Sequence, residues 1–328
     1  MALGEFDLIA RYFTRPVRRS PLGIGDDCAL LAPAPGMQLA VSTDMLVEGR
    51  HFLSTVAPER LGHKALAVNL SDLAACGARP LAWTLALALP RADEAQLAGL
   101  ARGLFALADQ HDIELVGGDT TAGPLNLCIT VFGEVPAGAA LLRSGARPGD
   151  DLWVSGTLGD ARLALEVFRG TVELAGADFA AVRPALECPQ PRVALGLALR
   201  GRASSAIDLS DGLLGDLGHV LARSGEALFG AGRRLGARLD LDALPRSLVL
   251  ARQPAELQQQ CLLTGGDDYE LLFTAPPEQR AAVQAAAAAC ALPVSRIGTI
   301  EADAGVHVLD RAGQPVPTPW HAFDHFRA

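Results

Sequence analysis

An α+β protein built from two α/β domains is what this sequence predicts. Apolar runs of strand type alternate with Ala- and Leu-rich runs of helical period along the chain. The 328 residues exceed the roughly 100 to 150 common for one domain. Gly, Pro and charge crowd together in Arg143-Ser144-Gly145-Ala146-Arg147-Pro148-Gly149-Asp150-Asp151, the clearest linker. Residues 1–140 are therefore expected to form an N-terminal domain and residues 141–328 a C-terminal one.

In chain order, Phe6, Ile9 and Phe13 share one face of a short amphipathic helix over Glu5 to Phe13. Ala29 to Leu31 and Leu39 to Ser42 read as two short strands joined by the turn Ala32-Pro33-Ala34-Pro35-Gly36. A helix is expected over Pro58 to Ala75, with Leu61, Ala65, Val68 and Leu73 on a common side. Trp83 to Leu89 is a strand and Asp93 to His111 a helix. Glu114 to Val116 is a strand running into Gly117-Gly118-Asp119-Thr120, and Leu127 to Val135 a further strand.

The second half opens on the strand Leu152 to Ser155 and a helix reaching Phe168. A helix over Arg192 to Leu199 precedes the strand Ala206 to Leu209, which ends in Asp208-Leu209-Ser210-Asp211-Gly212. Leu213 to Ser224 has helical period and includes Asp216 and His219. Leu271 to Thr274 is a strand and Gln279 to Cys290 an Ala-rich helix.

Bulk properties exclude several function classes. A formal net charge of -9 argues against sequence-independent binding to a nucleic-acid backbone. No charge-free run approaches the roughly 18 apolar residues of a spanning helix, so no membrane partner is expected. The N-terminus lacks the basic, apolar and small-residue order of a signal peptide, and the six cysteines form no Cys-x-x-Cys pair. Both features suit a reduced, cytoplasmic protein.

Carboxylates beside Gly, Ser or Thr recur in Gly25-Asp26-Asp27, Ser42-Thr43-Asp44, Ser71-Asp72, Gly118-Asp119, Asp208-Leu209-Ser210-Asp211 and Gly266-Asp267-Asp268. If several converge, each close pair repels by about 4 kcal/mol at 4 Å and an effective dielectric of 20, which calls for cations. The oxygen-rich set suits Mg2+, and the Gly-Gly backbone suits close approach of a phosphate. P-loop, protein-kinase and dinucleotide-fold signatures are missing.

Each piece also has a plain structural reading. Asp26 and Asp27 serve equally as turn caps, and Asp150 and Asp151 are expected to do so. His51 reads as a loop histidine, and His321 with His325 as a surface turn despite the i, i+4 spacing of a metal pair. Cys28 reads as a small buried residue.

Taken together, the ordered motifs resemble the thiamine-monophosphate kinase family, within the superfamily that also contains aminoimidazole ribonucleotide synthetase. The resemblance runs from Gly23-Ile24-Gly25-Asp26-Asp27-Cys28-Ala29 through Ser42-Thr43-Asp44-Met45-Leu46-Val47-Glu48-Gly49-Arg50-His51-Phe52 and Asn69-Leu70-Ser71-Asp72. It continues through Gly117-Gly118-Asp119-Thr120-Thr121, Arg143-Ser144-Gly145-Ala146 and Ile207-Asp208-Leu209-Ser210-Asp211-Gly212 to the closing Trp320 to Phe326.

The resemblance implies two domains of the aminoimidazole ribonucleotide synthetase type, a homodimer formed through the N-terminal domain, and several Mg2+ ions. It implies ATP-dependent phosphorylation of thiamine phosphate to thiamine diphosphate. Carried onto matching positions, it assigns Asp27, Ser42, Thr43, Asp44, Asp72, Asp119, Asp208 and Asp211 to metal. Gly118, Arg143 and Ser210 go to ATP, and His51, Asp267 and Phe323 to thiamine phosphate. Two features depart from the family pattern: Asp267 stands where Glu is usual, and Glu226 to Leu235 reads as an inserted loop. The rival readings are another ATP-using enzyme of the superfamily, of the purine-precursor synthetase type, and a non-catalytic nucleotide- and metal-binding protein.

Overall fold

A computed structural model describes residues 5–320; Phe323, His321 and His325 lie outside the described residues. The chain divides into two compact units, one comprising residues up to Leu73 with Ala78–Gly138, the other Ala74–Gly77 with Ala139 onward. None of the six cysteines is in a disulfide, and Cys28, expected to be buried, is exposed. Among the described residues no helix is long and apolar enough to cross a membrane.

The first unit holds α1 (Glu5–Leu8), continued by a wider helical turn over Ile9–Phe13, then β1 (Met37–Val47), most of α2 (Pro58–Ala75), β2 (Arg79–Leu89), α3 (Glu94–Gln110), β3 (Glu114–Ala122) and β4 (Asn126–Pro136). Its four strands lie in the order β1-β4-β2-β3. The β2–β3 pair is parallel, and β4 runs antiparallel to both β1 and β2.

The Asp93 side chain starts α3 by accepting the Ala95 and Gln96 N–H groups at 3.0 and 3.1 Å, satisfying donors that a helix start leaves open. α2 and α3 cross at glycine: an added Cβ would lie 2.2 Å from Leu100 O at Gly62 and 1.8 Å from Glu59 O at Gly103. Beneath the sheet, Trp83 is fully buried and tilts against Phe105 with 6.1 Å between ring centroids.

The expected strand over Ala29 to Leu31 does not form. Leu30 makes only an isolated bridge to Leu22, while β1 begins at Met37 and pairs along its whole length with β4. A three-residue strand offers too few ladder bonds and cross-strand contacts to compete with that pairing.

The second unit contains β5 (Asp151–Ser155), α4 (Asp160–Phe168), α5 (Gly176–Glu187), α6 (Val193–Leu199), β6 (Ser205–Asp208), α7 (Leu213–Phe229), β7 (Gly236–Asp240), α8 (Leu248–Ala251), α9 (Ala255–Thr264), β8 (Leu271–Ala275), α10 (Arg280–Ala289), β9 (Val294–Glu301) and β10 (Gly305–Leu309). Its six-stranded sheet runs β10-β7-β9-β5-β8-β6. Only the β10–β7 pair is parallel. Every residue of β5, β6 and β8 is buried, and Trp153 stacks on Phe273 at 6.3 Å in the core.

Two expectations are corrected here. Asp150 does accept a turn N–H, from Arg147 at 3.0 Å, but Asp151 is no turn cap. It opens β5, is 1% exposed, and accepts from Arg280 Nε at 2.5 Å and Nη2 at 2.7 Å. Those bonds and the guanidinium charges hold its carboxyl below the usual range against the opposing effect of burial. The segment Glu226 to Leu235 is not a loop throughout: α7 continues to Phe229, and only Gly230 to Leu235 connects it to β7. The Ala-Leu pair 227–228 keeps the helix favourable until Gly230, whose positive φ ends it.

Candidate active site

In the first unit, the loop Gly25-Asp26-Asp27 and the strand segment Gly117-Gly118-Asp119-Thr120 line one cavity of about 630 Å3, with Phe13, Leu85 and Leu115 among its apolar walls. The two adjacent acids differ in their work. Asp26 Oδ1 accepts the Asp27 N–H at 2.8 Å and closes the turn. The side chains of Asp27 and Asp119 are exposed and make no hydrogen bond or ion pair with any described residue.

The loop reaches this position because Glu114, the first residue of β3, grips the chain ahead of it. Its buried carboxylate accepts the backbone N–H groups of Arg18, Arg19 and Ser20 at 2.7, 3.1 and 3.1 Å, and the Ser20 hydroxyl at 3.1 Å. Burial alone would raise its pKa, but these donors outweigh burial and lower it. Glu114 carried no sequence signal, since its partners are backbone groups distant in the chain.

β1 and α2 build a second group in the same unit. Ser42 Oγ donates to Asp72 Oδ2 at 2.5 Å, and the Asp44 N–H donates to Asn69 Oδ1 at 3.1 Å. Ser42 and Asp44 thus share the α2 side of the strand. The pleat turns Thr43 to the other face, where its hydroxyl meets that of Thr130 at 2.8 Å. His51 Nδ1 accepts the Val47 N–H at 3.0 Å, which leaves the imidazole proton on Nε2. Buried Lys64 holds the same loop by donating from Nζ to His51 O at 3.1 Å.

In the second unit, Asp208 ends β6 in a buried position, and Ser210 and Asp211 form the turn into α7. Asp216 was placed on this helix by its periodicity but not assigned to the site. Its Oδ2 accepts the Asp211 and Gly212 N–H groups, both at 3.1 Å, and so organises the turn. Burial, and then the negative charge of Asp211, push its pKa up to about 7. An acid in the first turn of a helix that follows Asp-x-Ser-Asp-Gly is the signal that would have found it. The Asp267 N–H donates to Ser210 O at 2.9 Å, joining these two expected site residues. Arg143 is anchored by its carbonyl, which accepts from Ser224 Oγ at 3.2 Å, while its exposed guanidinium makes no ion pair with a described residue.

The chain matches the AIR synthase related protein N-terminal domain over residues 25–135 and the corresponding C-terminal domain over residues 147–311. It is 47% identical to thiamine-monophosphate kinase of Salmonella typhimurium, across 99% of each chain. This chain belongs to the thiamine-monophosphate kinase family. The thiamine-monophosphate kinase of Stenotrophomonas maltophilia has the same fold, with a TM-score of 0.83 and 47% identity across 94% of this chain and 95% of that one. The complex of AaThiL with AMPPCP and TMP aligns with a TM-score of 0.75 and 30% identity over 90% and 89% of the two chains.

The donor set fits the hard-cation chemistry expected of a kinase in this family. Among the described residues no three His, Cys, Asp or Glu side chains gather into a metal cage. Mg2+ needs no such cage, because it commonly takes one or two carboxylates and completes its octahedron with waters and substrate phosphate oxygens. Two unpaired carboxylates facing a cavity wide enough for a phosphate chain meet that requirement.

Proposed function

We propose that the protein transfers the terminal phosphoryl group of ATP directly, in line, onto thiamine phosphate to give thiamine diphosphate, with several Mg2+ ions assisting. The observation that carries this reading is the convergence of Gly118 with the unpaired Asp27 and Asp119 carboxylates on one cavity. AaThiL, which was solved with AMPPCP and TMP, supports it as a relative with the same fold. In this reading Asp27, Ser42, Asp44, Asp72, Asp119, Asp208 and Asp211 hold metal, and Thr43, whose hydroxyl turns to the opposite face of β1 toward Thr130, adds no side-chain ligand beside them; Gly118, Arg143 and Ser210 contact ATP; and His51, Asp267 and Phe323 contact thiamine phosphate.

The residues divide the work by chemistry. A phosphate monoester has its second pKa near about 6, so the acceptor oxygen is largely deprotonated at neutral pH and no general base is needed. His51, neutral with its proton on Nε2, donates to the acceptor phosphate and does not withdraw a proton from it. Arg143 offers an uncommitted guanidinium to the nucleotide phosphates. Bound Mg2+ supplies neutralisation of the charge shared by donor and acceptor phosphates. Asp267 places a carboxylate for the thiamine cation.

Incubation with ATP, Mg2+ and thiamine phosphate is expected to yield ADP and thiamine diphosphate in equal amounts, and chelation of Mg2+ to stop both. ADP release that is equally fast without thiamine phosphate, or with thiamine in its place, would sink the substrate assignment.

The outer face of the first unit's sheet supports a homodimer. Val41 and Met45 on β1 are 58% and 55% exposed, and Leu39 beside them is also exposed. An apolar strand face of this kind needs cover. A second copy meeting it face to face covers both at once. Val41→Glu should convert the sedimenting species from dimer to monomer at micromolar concentration; a wild-type protein that already sediments as a monomer removes the proposal.

A further inference from the structure

The loop from Gly265 to Glu270 is held in a conformation that its own residues disfavour. Asp267 and Tyr269 have φ of +67° and +49°, a region costing on the order of 1 kcal/mol or more for residues with side chains. Such a conformation lasts only where the surroundings enforce it. The Tyr269 N–H donates to Leu209 O at 2.8 Å, and the Leu209 N–H donates to Glu270 O at 2.9 Å, which zips the loop to the end of β6. Glu270 is buried, and its carboxylate accepts from Ser155 Oγ at 2.5 Å and Arg192 Nε at 2.7 Å.

Between the two left-handed residues stands Asp268. Both of its carboxyl oxygens accept the Gly159 N–H, at 2.9 and 3.2 Å, at the head of α4. Burial raises its pKa well above the ordinary value, opposed by this N–H and reinforced by the charges of Glu270, Asp160 and Asp267. A neutral carboxyl keeps a carbonyl oxygen that still accepts the bond.

Asp268 thus ties the middle of the arch to α4, while the backbone bonds from Asp267 N–H to Ser210 O and from Tyr269 N–H to Leu209 O hold its two flanks. Without the bond to α4, only those two backbone bonds oppose relaxation of Asp267 and Tyr269 toward negative φ. That rotation swings the Asp267 side chain away from its present direction and separates Tyr269 Oη from Asp267 Oδ1, now 3.3 Å apart. We propose that Asp268 is a positioning residue that fixes the Asp267 carboxylate for the cationic portion of the acceptor. The proposal rests on the functional reading above, in which Asp267 contacts thiamine phosphate.

The test compares Asp268→Ala with Asp268→Asn, which retains an acceptor oxygen of the same reach. Calorimetry with thiamine phosphate, and separately with AMPPCP, is combined with steady-state kinetics. Asp268→Ala is expected to weaken thiamine phosphate binding and raise its KM by about tenfold, with AMPPCP affinity and the KM for ATP within about twofold of the parent. Asp268→Asn should stay within about threefold on every measure. Unchanged thiamine phosphate affinity in Asp268→Ala overturns the proposal, as does equal weakening of both ligands or an Asn variant as impaired as the Ala variant. If Asp268→Ala does not fold, Asp268→Ser, whose hydroxyl falls short of the Gly159 N–H, takes its place with the same expected values. Wild-type protein that binds no thiamine phosphate overturns the functional reading along with the proposal, so the two failures remain distinct.

Discussion

Asp119→Asn should lower phosphoryl transfer by about 10²- to 10³-fold while leaving the melting temperature within about 2 °C of the parent. The two halves of this expectation come from the same observation. Asp119 is exposed on β3 and pairs with no described residue, so its charge holds nothing together in the fold. Its carboxylate faces the cavity shared with Asp27 and Gly118, where an amide presents an oxygen without the charge that attracts a divalent cation. The measurement is initial rate against Mg2+ concentration, alongside thermal denaturation. A variant that keeps more than about a tenth of the parent rate at limiting Mg2+, with an unchanged dependence on Mg2+ concentration, would take Asp119 out of the metal set. Raised Mg2+ that restores much of the rate would instead place the loss in metal affinity, which the same titration reads directly.

Gly118→Ala is expected to damage both the fold and nucleotide binding. The residue has φ of +153°, and an added Cβ would stand 1.9 Å from Leu85 O and 3.0 Å from Leu85 N on the neighbouring strand. No side chain can give way there, because the obstructing atoms are backbone. The β2–β3 pairing at Leu85 and Gly118 must open, at a cost on the order of 3 kcal/mol or more. Gly117→Ala is the control, since its Cβ would meet only Thr84 Cγ2 at 3.7 Å, an ordinary contact. Denaturant unfolding of the two variants should therefore separate them clearly, and calorimetry with AMPPCP should show the nucleotide affinity lost in Gly118→Ala alone. Equal stability of the two variants would mean that the close approach of β3 to β2 is not what requires glycine at 118.

Elements with a long, regular pattern are legible in the sequence. α2 occupies the expected Pro58–Ala75, and α3 lies within one residue of the expected Asp93 to His111 at each end. Where pairing partners decide, local pattern misled. Ala29 to Leu31 has strand composition, but β4 offers β1 a much longer ladder, and the short run is left with a single bridge. β7, β9 and β10, interrupted by Gly or charge, went unassigned, as did α5, α8 and α9.

The candidate site divides in a similar way. Residues whose role rests on a carboxylate beside glycine, such as Asp27 and Asp119, stood out in the sequence, and the fold brings those two to one cavity. Residues that act by gripping backbone did not stand out. Glu114, Asp216 and Asp268 each accept N–H groups from segments that only the tertiary fold supplies or that a local turn brings round. Asp151 was misread for a related reason: its neighbours Gly149 and Asp150 suggest a turn, whereas its partners, Arg280 and Arg296, lie far along the chain.

The grip of Glu114 on residues 18–20 has a consequence for how the cavity keeps its dimensions. The strand that begins with Glu114 continues, through a register shift at Val116, to Gly118 and Asp119, so a single element bears one carboxylate directly and tethers the approach to the other. The gap between Asp27 and Asp119 is therefore gauged from a single element, like the two jaws of a caliper carried on one beam.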